Sequence, residues 1–88
     1  MFYVYFILSQ KNGKVYVGST SKESAERIKE LNNGSNTWSK QNSPFILKYF
    51  EKYHCKHDAK ARELFYKTGI GRQVKYAILE KLGIQNGV

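Results

Sequence analysis

Phe2-Tyr3-Val4-Tyr5-Phe6-Ile7-Leu8-Ser9-Gln10-Lys11-Asn12-Gly13-Lys14-Val15-Tyr16-Val17-Gly18 is the stretch that decides the fold. Residues 3–9 and 14–18 are β-branched and aromatic, and Asn12-Gly13 between them is the strongest short hairpin signal. A two-residue turn there sets Ile7 opposite Gly18 and Ser9 opposite Tyr16. Tyr3, Tyr5, Ile7, Tyr16 and Gly18 then share one face. Val4, Phe6, Leu8, Val15 and Val17 share the other, which is expected to be the main core. Two phenols beside a glycine on the more polar face leave room for a ligand or backbone to approach, although on this feature alone ordinary aromatic strand packing is the preferred reading.

Working outward, Thr20-Ser21-Lys22-Glu23 has the spacing of a capping box, and Ala25, Ile28 and Leu31 recur at helical intervals until Asn32-Asn33-Gly34. A first helix of about ten residues is expected. Residues 33–44 are polar and Asn/Ser-rich and are expected to form a long loop, with Trp38 folding back over the core or stacking on an unpaired base. Ile46 to Tyr53 gives a third strand. Asp58 is expected to cap a second helix whose Ala59, Ala61, Leu64 and Phe65 face the sheet. That helix ends near Gly69-Ile70-Gly71, and a third follows with Val74, Ala77, Ile78 and Leu82 on one side. The expectation is an α+β domain over residues 1–88, with a small three-stranded antiparallel sheet flanked by helices in the order ββαβαα.

The chain has 88 residues, 41% hydrophobic and 15% aromatic, enough for one modest core and against a disordered basic tail. Lys+Arg 15 against Asp+Glu 7 gives a net charge of +8, which favours an anionic partner, most simply nucleic acid. Phe2 to Leu8 is too short to span a bilayer and carries no charged leader before it, so a cytoplasmic protein without membrane attachment is expected. The single cysteine, Cys55, fits a reducing compartment.

Further residues carry a family resemblance. Tyr3-Val4-Tyr5, ten intervening residues, Tyr16-Val17-Gly18, then Arg27 on the next helix and Glu63 within Ala59-Lys60-Ala61-Arg62-Glu63 together resemble the GIY-YIG nuclease domain family. Gly18-Ser19-Thr20, Asn32-Asn33-Gly34, Pro44 and Lys67-Thr68-Gly69-Ile70-Gly71-Arg72 extend the likeness to the compact stand-alone members. The resemblance implies hydrolysis of a DNA phosphodiester with one divalent metal, Mg²⁺ or alternatively Mn²⁺, and no small-molecule cofactor. Glu63 would hold the metal, as a single carboxylate completed by water and phosphate suits Mg²⁺. Tyr5 and Tyr16 would border the scissile phosphate and position or deprotonate water, and Arg27 would stabilise transition-state charge. Lys40, Lys48, Lys67 and Arg72 are the expected DNA contacts, with Lys52, Lys56, Lys60 and Lys75 as further basic surface.

The first motif departs from the family with Tyr-Val-Tyr in place of Gly-Ile-Tyr, and one extra residue separates Gly18 from Arg27. Leu31 stands four residues after Arg27, where related sequences often have a histidine. Leucine transfers no proton, leaving that work to a tyrosine or water; the alternative is a nucleic-acid-binding module with weak or no turnover. A histidine introduced at 31 would raise cleavage if that side chain reaches the phosphate, and would change nothing if it packs in the core. Specificity is expected from DNA structure, a protein partner or an additional domain, in repair, recombination or a mobile element. His54-Cys55-Lys56-His57 crowds three possible ligands without a second cluster, so a solvated turn is the preferred reading over a zinc site.

Overall fold

The computed structural model describes residues 1–83. Two strands open the chain, β1 (Phe2–Ser9) and β2 (Val15–Thr20), followed by helices α1 (Ser24–Asn32) and α2 (Thr37–Asn42). Strand β3 (Phe45–Tyr53) and helices α3 (Lys56–Phe65) and α4 (Gly69–Lys81) complete it. The strands form one antiparallel sheet in the order β2-β1-β3. The expected ββαβαα order therefore holds, with α2 added where a loop was expected. Asn36 and Ser39 explain the addition: Asn36 Oδ1 accepts from Ser39 N at 2.8 Å and Ser39 Oγ accepts from Asn36 N at 3.1 Å, a reciprocal cap inside a polar stretch.

The hairpin turn is longer than the two residues expected. Ile7 pairs with Tyr16 and Tyr5 with Gly18, two residues from the expected register. Ser9 Oγ accepts from Lys11 N and Asn12 N, Asn12 Oδ1 accepts from Lys14 N, and Gly13 takes a φ of +74°, so Gln10 to Gly13 together make the loop. Because the shift is even, the expected partition into faces survives.

The balance between the faces does not match the expectation. β1 is the central strand and is buried on both sides, so the tyrosine face is a second core. Val4, Phe6 and Val15 pack with Ala59, Tyr66 and Leu79 under α3 and α4, whereas Tyr5 and Ile7 pack with Ile28, Leu31 and Phe45 under α1. Leu31, 1% exposed, thus belongs to the core. A histidine there would bury an imidazole among Tyr5, Ile7, Ile28 and Phe45.

Helix starts also differ from expectation. α1 begins after Glu23 with no side-chain cap, and Thr20 Oγ1 instead accepts from Lys22 N, an interaction of the turn. α3 begins after Cys55, which leaves Asp58 inside the first turn, where its charge suits the helix dipole. With that start, Ala59, Glu63 and Tyr66 turn inward, and Ala61 and Leu64 are exposed. In α4 the buried stripe runs through Gly71, Val74, Ile78 and Leu79, with Ala77 and Leu82 exposed. Thr68 Oγ1 caps α4 by accepting from Gly71 N at 3.0 Å.

Candidate active site

Strand β2 is a free edge of the sheet, and Gly18 lies on it opposite Tyr5. The missing side chain lets the Tyr5 ring lie across β2: a Cβ on Gly18 would stand 2.4 Å from Tyr5 Oη and 2.5 Å from its Cζ. The phenol hydroxyl lies close enough to Arg27 of α1 for the two groups to shift each other's titration. Arg27 Nη1 donates to Glu30 Oε1 at 3.2 Å, and Lys22 closes the group with a bond to Glu30. Burial pushes the Tyr5 phenol above its ordinary value of 10.0; the Arg27 guanidinium pulls it down, and the nearby Glu63 charge adds to the rise. Burial and this balance keep Tyr5 protonated at neutral pH.

Glu63 reaches the same edge from the opposite face of the sheet. It is 6% exposed, and Ser19, next to Gly18, donates to its Oε1 at 2.5 Å. Lys60 Nζ stands 3.2 Å from Oε1 and Lys67 Nζ 2.7 Å from Oε2. Burial raises the Glu63 carboxyl, but the bonds from Lys67, Ser19 and Lys60 outweigh it and hold the group below its ordinary range. The result is an ionised, nearly buried carboxylate whose partners are two well-exposed ammonium groups. The exposed ammonium ends exchange readily, so a cation can take their place at the carboxylate and a phosphate can take the carboxylate's place on them.

The glycine floor therefore brings Tyr5, Arg27 and Glu63 together. Tyr16 shares the Tyr5 face but is tied elsewhere, its hydroxyl accepting from Asn12 Nδ2 at 2.9 Å and lying 3.3 Å from Asn42 Oδ1. Lys67 is in the site through Glu63, and Arg72 borders the neighbouring groove. Lys40 packs beneath Gly34. Lys48 is the residue left without a register partner at the bulge of β3, on the edge of the sheet away from β2. Ser19 and Lys60 are the contributors to the carboxylate that sequence reasoning did not assign to it. The Gly18-Ser19-Thr20 stretch was the local signal for Ser19, and the i, i+3 spacing to Glu63 that for Lys60.

A groove of about 950 Å³ adjoins the site, lined by Ser19, Thr20, Lys22, Arg27, Lys56 and Lys60 among others. Among the described residues no group of three or more His, Cys, Asp or Glu side chains gathers to hold a metal. Glu63 alone still fits a hard cation that keeps most of its water, since one ionised carboxylate is enough for such binding.

A family model, the GIY-YIG catalytic domain, matches residues 1–77. The chain belongs to the GIY-YIG family. GIY-YIG domains are nuclease domains that act on DNA and generally depend on a divalent metal. Neither the curated proteins nor the solved structures yield a match. Among the described residues no helix is long and apolar enough to cross a membrane.

The GIY-YIG floor at Gly18 gives a direct expectation. Gly18→Ala drives a methyl group into Tyr5 and lowers cleavage by about tenfold to a hundredfold, since small misplacements of a reacting group cost that much. In a Tyr5→Phe background the methyl still meets Cζ, at 2.5 Å, but the hydroxyl it would misplace is gone, so the same exchange costs cleavage much less. Equal losses in both backgrounds, measured as cleavage rates of folded variants, would show that Gly18 acts other than through Tyr5.

Proposed function

We propose that this chain is a metal-dependent DNA endonuclease hydrolysing phosphodiester bonds at the β2 edge, with Tyr5, Arg27 and Glu63 around the scissile phosphate and Tyr16 bordering it. The observation that carries the reading is the buried, ionised Glu63 beside the Tyr5–Arg27 pair. Glu63 is the residue to hold a single Mg²⁺, with Mn²⁺ as a substitute. When bound, such an ion polarises the phosphate and lowers the pKa of water. Arg27 neutralises the charge that accumulates on the phosphate oxygens as the fifth bond forms. Tyr5, kept protonated, orients the attacking water by hydrogen bonding, and the Arg27 guanidinium fixes the phenol while this happens. Lys60 and Lys67 exchange the carboxylate for phosphate oxygens as DNA enters, and Arg72 and Lys40 extend the basic surface. Recognition in this reading is of DNA structure, or is supplied by a protein partner or further domain, within repair, recombination or a mobile element.

A second reading, a DNA-binding module without turnover, is favoured by two observations: Leu31 is in the core, and lysines cover both Glu63 oxygens. Plasmid, single-stranded, flapped and branched DNA incubated with Mg²⁺, with Mn²⁺ and with EDTA distinguish the two. Cutting that stops in EDTA supports the nuclease. Salt-sensitive binding with every substrate left intact supports the binding module.

A further inference from the structure

A second groove of about 380 Å³ lies along the same β2 edge, toward the hairpin; it shares Tyr16, Lys67 and Arg72 with the proposed site, whereas its Trp38, Lys75 and Tyr76 have no part in that chemistry. Its walls are aromatic and basic: Tyr16 and Trp38 on one side, Arg72, Lys75 and Tyr76 on the other, with Lys67 joining it to Glu63. Trp38 stacks on Phe45 at a centroid distance of 5.2 Å and meets Tyr16 edge-on at 5.0 Å, yet 39% of it stays exposed. Tyr76 is 45% exposed. Trp38 therefore covers the core with one face and also lines a groove, between the two roles expected of it. Lys75 Nζ donates to the Val15 carbonyl at 2.7 Å, which fixes an ammonium group over the strand edge.

We propose that this groove binds an unpaired nucleotide stretch of the DNA substrate, the bases stacking on Trp38 and Tyr76 and the phosphates lying along Arg72, Lys75 and Lys67. Exposed aromatic rings interleaved with cations are the chemistry of single-strand binding, because every base offers a π-face and every nucleotide a charge. A blunt duplex keeps its bases stacked inside and leaves both rings uncovered. The inference rests on the nuclease reading in that Lys67 leads the strand from this groove to Glu63. It names the substrate class as DNA with an unpaired segment next to the cut.

The only tryptophan of the chain is Trp38, so its fluorescence reports the groove directly. Full-length protein is titrated in EDTA with oligothymidine, with a forked duplex and with a blunt duplex of equal length. Quenching by the single strand and the fork, and little by the blunt duplex, is expected. Tyr76→Ala, an exposed position, should weaken binding of the single strand and the fork by about fivefold to a hundredfold and leave the blunt duplex unchanged. Trp38→Phe, which keeps a ring against Phe45 but removes the fluorophore, should weaken it less, as read by the anisotropy of dye-labelled DNA. Equal quenching by all three DNAs, or a Tyr76→Ala variant that binds the single strand as well as wild type, would overturn the inference. No metal is present in this measurement. Selective binding with no cleavage in Mg²⁺ would thus sink the nuclease reading while upholding the groove, and cleavage without selectivity would do the reverse.

Discussion

Glu63→Gln abolishes DNA cleavage, with a loss of at least about a hundredfold, while DNA binding in EDTA stays within about threefold of wild type. Glutamine keeps the length of the side chain and one oxygen, which still accepts from Ser19, while its amide nitrogen releases Lys67, so α3 stays seated and the charge is removed. Without that charge the site loses its metal ligand, because the other nearby carboxylate, Glu30, is already paired with Arg27 and Lys22. Binding is preserved because removing one negative charge leaves Lys60 and Lys67 free for phosphate. Any change in affinity should be a gain, lost as salt rises. Fold is checked by circular dichroism, cleavage by initial rates at saturating Mg²⁺. A folded Glu63→Gln variant that cuts at near the wild-type rate would remove Glu63 from the site and leave the proposed chemistry without a metal ligand.

The second large effect concerns stability and lies one turn away. Glu51 of β3 accepts hydrogen bonds from Tyr49 and Tyr53, both at 2.6 Å, from Tyr66, and from Arg62 Nε at 3.2 Å. One carboxylate thus joins the sheet to α3, and Arg62 precedes Glu63 on that helix, so this cluster sets how α3 presents the site residue. Glu51→Ala leaves three half-buried hydroxyls and a guanidinium without their acceptor. A loss of about 3 kcal/mol is expected, lowering Tm by roughly 10–20 °C for a domain of this size. Thermal melts followed by circular dichroism measure it. A drop of under 2 °C would mean that water replaces the carboxylate at no cost.

The same cluster fixes the sign of the pH dependence. Burial raises the Glu51 carboxyl, but bonds from Tyr49, Tyr53 and Tyr66 and the Arg62 charge outweigh it, so the group sits below its ordinary 4.5. A depressed carboxyl stabilises the fold above about 4.5, and that contribution is lost as pH falls through the folded-state value. Burial and the Glu51 bond push Tyr49 and Tyr53 up to about 12 and raise Tyr66 as well. A raised phenol stabilises the fold below 10.0, its ordinary value, and that contribution is lost as pH climbs toward 12. Urea melts across pH should therefore give a plateau falling at both ends. In Glu51→Ala both limbs should flatten, with Glu63 supplying what remains of the acid limb.

The alternation of apolar and aromatic residues in β1 and β2, with Asn12-Gly13 between them, determined the hairpin and which residues share a face. Both are local properties, set by a side-chain period of two and by a glycine free to take positive φ. The spacing of Tyr5, Tyr16, Gly18, Arg27 and Glu63 was legible as a resemblance to the GIY-YIG family, which the family match over residues 1–77 bears out. The turn length was not legible. Ser9 Oγ takes the N–H groups of Lys11 and Asn12, and Asn12 Oδ1 takes that of Lys14, a division of the loop backbone that a dipeptide signal does not contain.

Other features belong to the tertiary structure alone. Tyr49, Glu51 and Tyr53 alternate on a strand and so share a face, but nothing local says that Tyr66 and Arg62 will complete the cluster from a helix. Leu31 stands at a position that the motif associates with chemistry, yet α1 packs on the tyrosine face and makes it core. Ser19 meets Glu63 only because β2 is an edge strand and α3 crosses behind it, so that residues 44 positions apart close on one carboxylate. Periodicity tells which side of its own element a residue occupies. Which partner covers that side depends on how sheet and helices bury their apolar area together, and this packing decided the floor under Tyr5, the cover over Glu63 and the groove beside Trp38.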